Sequence, residues 1–213
     1  MTQRQYSLID NCLIQFDRSL RTLTGSPEAQ RPNPAAQLPE AELSSAERRH
    51  AAALMRVNHA GEVSAQALYQ AQALTARSQS TRKAMQQAAM EENDHLAWCE
   101  SRIKELDSHT SYLNSFWYLG SFAIGLLAGL AGDAVNLGFV AETERQVVNH
   151  LDKHLQQIPA QDAKTQAILT QMRSDEAYHA TVAMTEGAIE LPDPIKIMMG
   201  FMSKLMTMTA YYI

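Results

Sequence analysis

The sequence predicts an all-α fold built around a four-helix bundle, and three observations carry that reading. Glycine and proline are sparse, at 9 and 7 of 213 residues, and alternating β-branched runs are absent. Apolar residues recur at three- and four-residue spacing over four segments long enough to be bundle helices. On each of these segments an ionisable side chain stands on or beside the apolar stripe, where a core residue belongs.

The elements follow in chain order. Tyr6, Ile9, Leu13, Phe16, Leu20 and Leu23 predict an amphipathic helix over 3–23, so residues 1–24 read as an N-terminal helical segment. Pro27, Pro32, Pro34 and Pro39 mark an extended linker over 25–43. Residues 44–213 form the main domain. Ser44 and Glu47 make a capping-box pattern that opens a long helix over about 45–77. A second helix is expected over 80–106, a third over 135–157, stopped near Pro159, and a fourth over 162–190, stopped by "LPDP" at 191–194. The Met-rich tail "IKIMMGFMSKLMTMTAYYI" reads as a C-terminal helix.

Between the second and third helices, Thr110 to Gly132 carry no Asp, Glu, Lys or Arg. The stretch is long enough to cross a bilayer. Crossing would put the third helix on the other side of the membrane from the second, and their acids could never meet. About 20 helical residues also span a bundle about 30 Å long. The segment is therefore expected to be an apolar crossover helix lying on the bundle. Gly120, Gly125, Gly129 and Gly132 would allow close approach to a neighbour.

The charges on the stripes form a pattern. In "MEENDHLAW" the buried stripe runs Met85, Ala88, Glu92, Leu96, Cys99, Ile103 and Leu106, with His95 one turn from Glu92 on the same face. "SDEAYHATV" repeats the arrangement on the stripe Ile168, Met172, Glu176, His179 and Ala183. The other two helices give single acids: Glu62 in "RVNHAGEVSA" and Glu144 on the stripe Val140, Glu144, Val147 and Leu151. The order is Glu, Glu-x-x-His, Glu, Glu-x-x-His. Thirty residues separate Glu62 from Glu92, and thirty-two separate Glu144 from Glu176.

A lone ionised carboxylate on a core stripe is strongly disfavoured unless an ion pair or a metal compensates it. Two helices giving Glu and two giving Glu-x-x-His is the ligand pattern of ferritin-like di-iron or di-manganese bundles. Four carboxylates neutralise two divalent ions, and hard oxygen donors with one imidazole per metal suit iron or manganese better than zinc. The six candidate ligands are Glu62, Glu92, His95, Glu144, Glu176 and His179. Glu92 and Glu176 are expected to bridge, with Glu62 and His95 completing one metal and Glu144 and His179 the other. The expected fold is thus a ferritin-like four-helix bundle with an apolar crossover helix and a C-terminal helix. His50, His59, His109 and His154 are read as surface or structural. Trp98 and Trp117 are read as packing, and Glu91, Asp94 and Asp175 fall off the stripes and are expected to face solvent.

Other functions are disfavoured. A net charge of −5 and a pI near 5.8 argue against nucleic acid. The only two cysteines, Cys12 and Cys99, are too few for a disulfide framework and fit a reducing compartment. Asp10 and Asp17 interrupt any apolar run near the N-terminus, so no secretory signal is expected.

The stretches "RVNHAGEVSA", "EENDHLAW", "VAETERQVVNH" and "SDEAYH" together resemble the demethoxyubiquinone hydroxylase family of ubiquinone biosynthesis, over about residues 47–213. The resemblance implies a di-iron monooxygenase that hydroxylates the demethoxyubiquinol ring with molecular oxygen. It places two iron ions per chain on the same six residues. It adds His150, six residues after Glu144, near the site as a catalytic candidate. Animal members are expected to carry a Tyr directly after that His. This chain has Leu151, so no role of that Tyr carries over. The implied partners are a polyprenyl quinol, molecular oxygen, an external electron donor and a membrane surface, with a homo-oligomer left open. The resemblance also tips the apolar crossover and tail toward a monotopic membrane face, on the cytoplasmic side of the cell membrane. The rival functions are an iron-storage protein without organic substrate, a structural bundle held by ion pairs, and a manganese catalase.

Overall fold

The computed structural model describes residues 8–25 and 27–213. Among these the chain forms seven helices and no strand: α1 (Leu8–Thr24), α2 (Ser45–Thr75), α3 (Gln79–Glu105), α4 (Asn114–Leu130), α5 (Asp133–Gln157), α6 (Ala163–Thr185) and α7 (Asp193–Tyr212). Residues 3–7 of the helix expected over 3–23, with Tyr6, and the side chains of Ile9 and Cys12 lie outside the described residues. Helices α2, α3, α5 and α6 make the bundle. Short connections pair α2 with α3 and α5 with α6, and α4 carries the chain from one pair to the other.

The local signals act where expected. Ser44 Oγ accepts from the Glu47 N–H at 3.3 Å and Glu47 Oε2 from the Ser44 N–H at 2.8 Å, closing the capping box. Helix α6 stops five residues earlier than the proline signal suggested. Gly187 takes a left-handed φ of 102°. Its N–H donates to Met184 O, and that of Ala188 to Ala183 O, which is the Schellman pattern.

The core is split in two, and the split positions the site. One apolar cluster gathers Met55, Trp98, Ile103, Leu151, Ile168 and Met172. The other gathers Tyr69, Met85, Leu137, Val140 and Ala183. Along each bundle helix the candidate ligand falls between its contributions to the two clusters: Glu62 between Met55 and Tyr69, Glu92 between Met85 and Trp98, Glu144 between Val140 and Leu151, and Glu176 between Met172 and Ala183. Four acids are thus sealed in one polar layer with dry packing above and below.

Helix α4 lies along α2. A Cβ on Gly125 would stand 2.7 Å from Leu68 O, and one on Gly129 1.8 Å from Thr75 Oγ1, so these two glycines permit the contact. Gly120 meets nothing, and Gly132 acts instead through its φ of 114° at the start of α5. The other face of α4 stays outward, with Phe116, Leu119, Leu127 and Leu130 exposed. Helix α7 packs on α2 and α5 and leaves Ile197, Met198, Phe201 and Met208 exposed. No helix among the described residues is long and apolar enough to cross a membrane. Leu13, Phe16 and Leu20 of α1 are exposed, so much of its stripe is not buried.

The segment between α1 and α2 is bound to the bundle. Ala35 is buried in the first cluster. Glu40 pairs with the buried Arg102 at 2.7 Å, and Arg102 also pairs with the buried Asp162 at 2.8 Å. Asn93 Nδ2 donates to Glu28 O at 2.8 Å.

Candidate metal centre

All six sequence candidates meet in the polar layer, and all six are buried. Glu62, Glu92, His95 and Glu176 offer donor atoms within 4.8 Å of one another, and so do Glu92, Glu144, Glu176 and His179. Glu92 and Glu176 belong to both groups. The two imidazoles enter from opposite helices with the same presentation. His95 Nδ1 lies 3.0 Å from Glu176 Oε1, 3.1 Å from Glu92 Oε2 and 3.6 Å from Glu62 Oε2. His179 Nδ1 lies 2.9 Å from Glu176 Oε2 and 3.5 Å from Glu92 Oε1. The Glu-x-x-His spacing produces this arrangement, because residues three apart on a helix share a face.

The outer ring nitrogens correct one sequence expectation. Asp94 is buried, and Glu91 and Asp175 are half-buried with their carboxylates turned to the histidines rather than to solvent. His95 Nε2 donates to Asp175 Oδ2 at 3.0 Å, and His179 Nε2 donates to Glu91 Oε2. Each acid stands immediately before the Glu of one motif and reaches across to the histidine of the other. Asp94 is buried and accepts from the Gln30 N–H at 2.6 Å and from Arg31 Nε at 2.7 Å. The helical stripe finds residues that point at the bundle axis. It misses residues beside the stripe whose side chains turn toward a neighbouring helix. The available signal was the acid preceding each motif, in "EENDH" and "DEAYH". A carboxylate on Nε2 fixes the tautomer that leaves Nδ1 free to bind a metal and raises its basicity.

The site's charges are those of a cation-binding cavity. Burial, and then the neighbouring Glu92 charge, pushes the Glu62 carboxyl well above the ordinary range. Burial and the Glu176 charge do the same to Glu144. Burial alone would raise Glu92 too, but the hydrogen bond with Glu62 and the His95 charge hold it well below. Burial opposes protonation of both histidines, yet the Glu176 and Glu92 charges hold His95 well above its usual value. The Glu176 carboxylate hydrogen-bonded to it, and then the Glu92 carboxylate beside it, push His179 up to about 12. Glu92 Oε1 and Glu144 Oε1 are buried without a hydrogen-bond partner. Such orphaned carboxylate oxygens are rare in proteins and fit a metal pair.

A cavity runs from Glu62, Glu92, Glu144 and Glu176 outward between α2, α5 and α7. His150 lines it, together with the apolar Val57, Val147 and Met206. His150 Nε2 is buried without a hydrogen-bond partner. Its ring stands 3.9 Å from that of His154, whose Nδ1 meets Asn58 Oδ1 at 3.0 Å. His50 meets the Tyr211 hydroxyl at 2.8 Å, so His50 and His154 serve the packing.

Residues 49–210 match the family described as Ubiquinone biosynthesis protein COQ7. The chain belongs to this family. It is 59% identical over 214 residues to a 3-demethoxyubiquinol 3-hydroxylase of Nitrosococcus oceani, covering 100% of both chains. Proteins of the same description from Nitrosomonas europaea and Burkholderia multivorans are each 57% identical, over 96% and 97% of this chain and 99% and 100% of their own. The family match spans α2 to α7, including every residue of the polar layer. Full-length similarity to these relatives extends to the segment that precedes it.

Proposed function

We propose that this chain is a 3-demethoxyubiquinol 3-hydroxylase that works with two iron ions and molecular oxygen. The observation that carries the reading is the pair of donor groups sharing Glu92 and Glu176. Glu62 and His95 would complete one iron and Glu144 and His179 the other, with the two shared carboxylates bridging. Four carboxylates match the four charges of two divalent ions, and the orphaned oxygens of Glu92 and Glu144 would gain partners. Iron so held supplies the redox chemistry that activates oxygen.

In the reaction, one atom of oxygen replaces a ring hydrogen of the quinol to give the phenol. The other leaves as water, taking up two electrons and two protons. Four carboxylates would give the metal-loaded site a low net charge. His150 stays neutral, because burial and then Lys153 lower it to about 4. Its free Nε2 would hold a ring hydroxyl of the quinol at the carboxylate end of the cavity. Val57, Val147 and Met206 would hold the ring and exclude water. The chain has no G-x-G-x-x-G fingerprint, so a nicotinamide donor would bind in some other way or act through a partner or through the quinone itself.

The outward apolar faces of α4 and α7 support a peripheral seat on the membrane, which the reading assigns to its cytoplasmic face. There a polyprenyl tail could stay in lipid while the ring enters beside α7. Labelled oxygen gas tests the reaction. Iron-loaded protein with reductant and demethoxyubiquinol should give product carrying the label in its new hydroxyl. Label from water would refute the oxygen chemistry, and no product while iron is bound and oxidised would favour iron storage instead.

A further inference from the structure

The two halves of the polar layer have unequal outer shells. On the His179 side, Glu91 is steadied by a neutral neighbour, Gln87, whose Nε2 donates to its Oε1 at 2.7 Å. On the His95 side, Asp175 Oδ2 accepts both from His95 Nε2 at 3.0 Å and from Arg31 Nη1 at 2.8 Å. Arg31 belongs to no bundle helix. It comes from the segment between α1 and α2, with its Nε on Asp94 at 2.7 Å and its guanidinium 4.9 Å from the centre of the Trp98 ring. Asp94 and Trp98 lie on α3 and Asp175 on α6, so one planar fork ties two helices together over one histidine. Arg31 Nη2 itself stands 3.4 Å from His95 Nε2.

A guanidinium suits this role because its donors have fixed directions and its charge is permanent. Asp175 is only partly buried. Without Arg31 it would keep Gln171 Nε2, at 2.9 Å on its other oxygen, and could turn Oδ2 toward water. His95 Nε2–H would then lose the acceptor that fixes its tautomer, and Nδ1 would be less reliably presented to Glu62, Glu92 and Glu176. We propose that Arg31 is a positioning residue for one metal only, the one on the Glu62 and His95 side, acting through Asp175. The inference rests on the two-metal reading above. It makes the segment before α2 a working part of the centre.

The test is equilibrium titration of the full-length metal-free protein with cobalt(II), read by visible absorption and by elemental analysis. The unsubstituted protein should take two cobalt ions per chain. Outer-shell substitutions weaken metal binding by roughly 10- to 100-fold. Arg31→Ala should weaken one of the two binding steps by that factor and leave the other unchanged. Millimolar guanidinium ion should restore the weakened step, since Arg31 is accessible at 37% of its side chain. Should Arg31→Ala not fold, Arg31→Lys serves, because a single ammonium cannot span Asp94 and Asp175; the same step should weaken. Glu40→Gln loosens the same segment at Arg102 and should lower thermal stability with both cobalt affinities intact. Two unchanged steps in the Arg31 variants would overturn the proposal, as would failure of guanidinium to restore binding. A Glu40→Gln variant with the same weakened step would reduce Arg31 to a tether. Absence of cobalt binding in the unsubstituted protein would instead remove the two-metal reading, and this proposal with it.

Discussion

Glu176→Ala removes the carboxylate nearest to both histidine Nδ1 atoms, at 3.0 Å from His95 Nδ1 and 2.9 Å from His179 Nδ1. Both metals should lose a ligand at once. A ligand that binds only the folded state stabilises it by about 2.7 kcal/mol at a concentration of 100 Kd. For a chain of this size each kcal/mol moves Tm by about 2–4 °C, so each bound metal should raise Tm by roughly 5–11 °C. That increment should vanish in the variant. The metal-free variant should still fold, because removing one of four buried acids also relieves desolvation and repulsion. Differential scanning fluorimetry under anaerobic iron(II), with and without chelator and paired with elemental analysis, reads both effects. A variant that keeps two irons and the full thermal shift would refute the reasoning.

Other consequences can be measured directly. Glu62, Glu144, His95 and His179 all hold protons more tightly than usual. Each proton must leave before its group binds metal. Metal affinity should therefore fall as pH is lowered, with proton release on binding seen in a weakly buffered titration; a pH-independent affinity would contradict this. Gly125→Ala places a Cβ 2.7 Å from Leu68 O and 3.0 Å from the Ala71 Cβ. Overpacking of this kind costs about 1–3 kcal/mol, so Tm should drop by several degrees, and an unchanged Tm would mean α4 is not clamped to α2. Leu119→Glu with Phe201→Glu charges the outward faces of α4 and α7, where the two side chains are 67% exposed. Co-sedimentation with phospholipid vesicles should be lost while metal content stays at the unsubstituted level; persistent vesicle binding would put the membrane contact elsewhere.

The fold and the inner layer were legible for one physical reason. A carboxylate on an apolar stripe is conspicuous, and Glu92, Glu144 and Glu176 each interrupt an otherwise regular run of core residues. The spacing of the two Glu-x-x-His motifs then fixed which histidines accompany them. The outer layer was not legible in the same way. Glu91 and Asp175 sit beside the stripes, and their roles depend on how α3 and α6 pack, which periodicity within one helix does not encode. Arg31 was hidden further still. It lies among prolines whose spacing reads as linker, and its partners are more than sixty residues away in sequence. The end of α6 was misplaced because the proline signal at Pro192 outweighed Gly187, where a left-handed turn already closes the helix.

Anomalous diffraction at the iron edge, from crystals of the iron-loaded protein, tests the central claim most directly. Two peaks per chain are predicted inside the bundle, roughly 4 Å apart as in other paired-metal sites. One should contact Glu62 and His95, the other Glu144 and His179, and both should contact Glu92 and Glu176. A single peak, or iron bound away from these six side chains, would contradict the account.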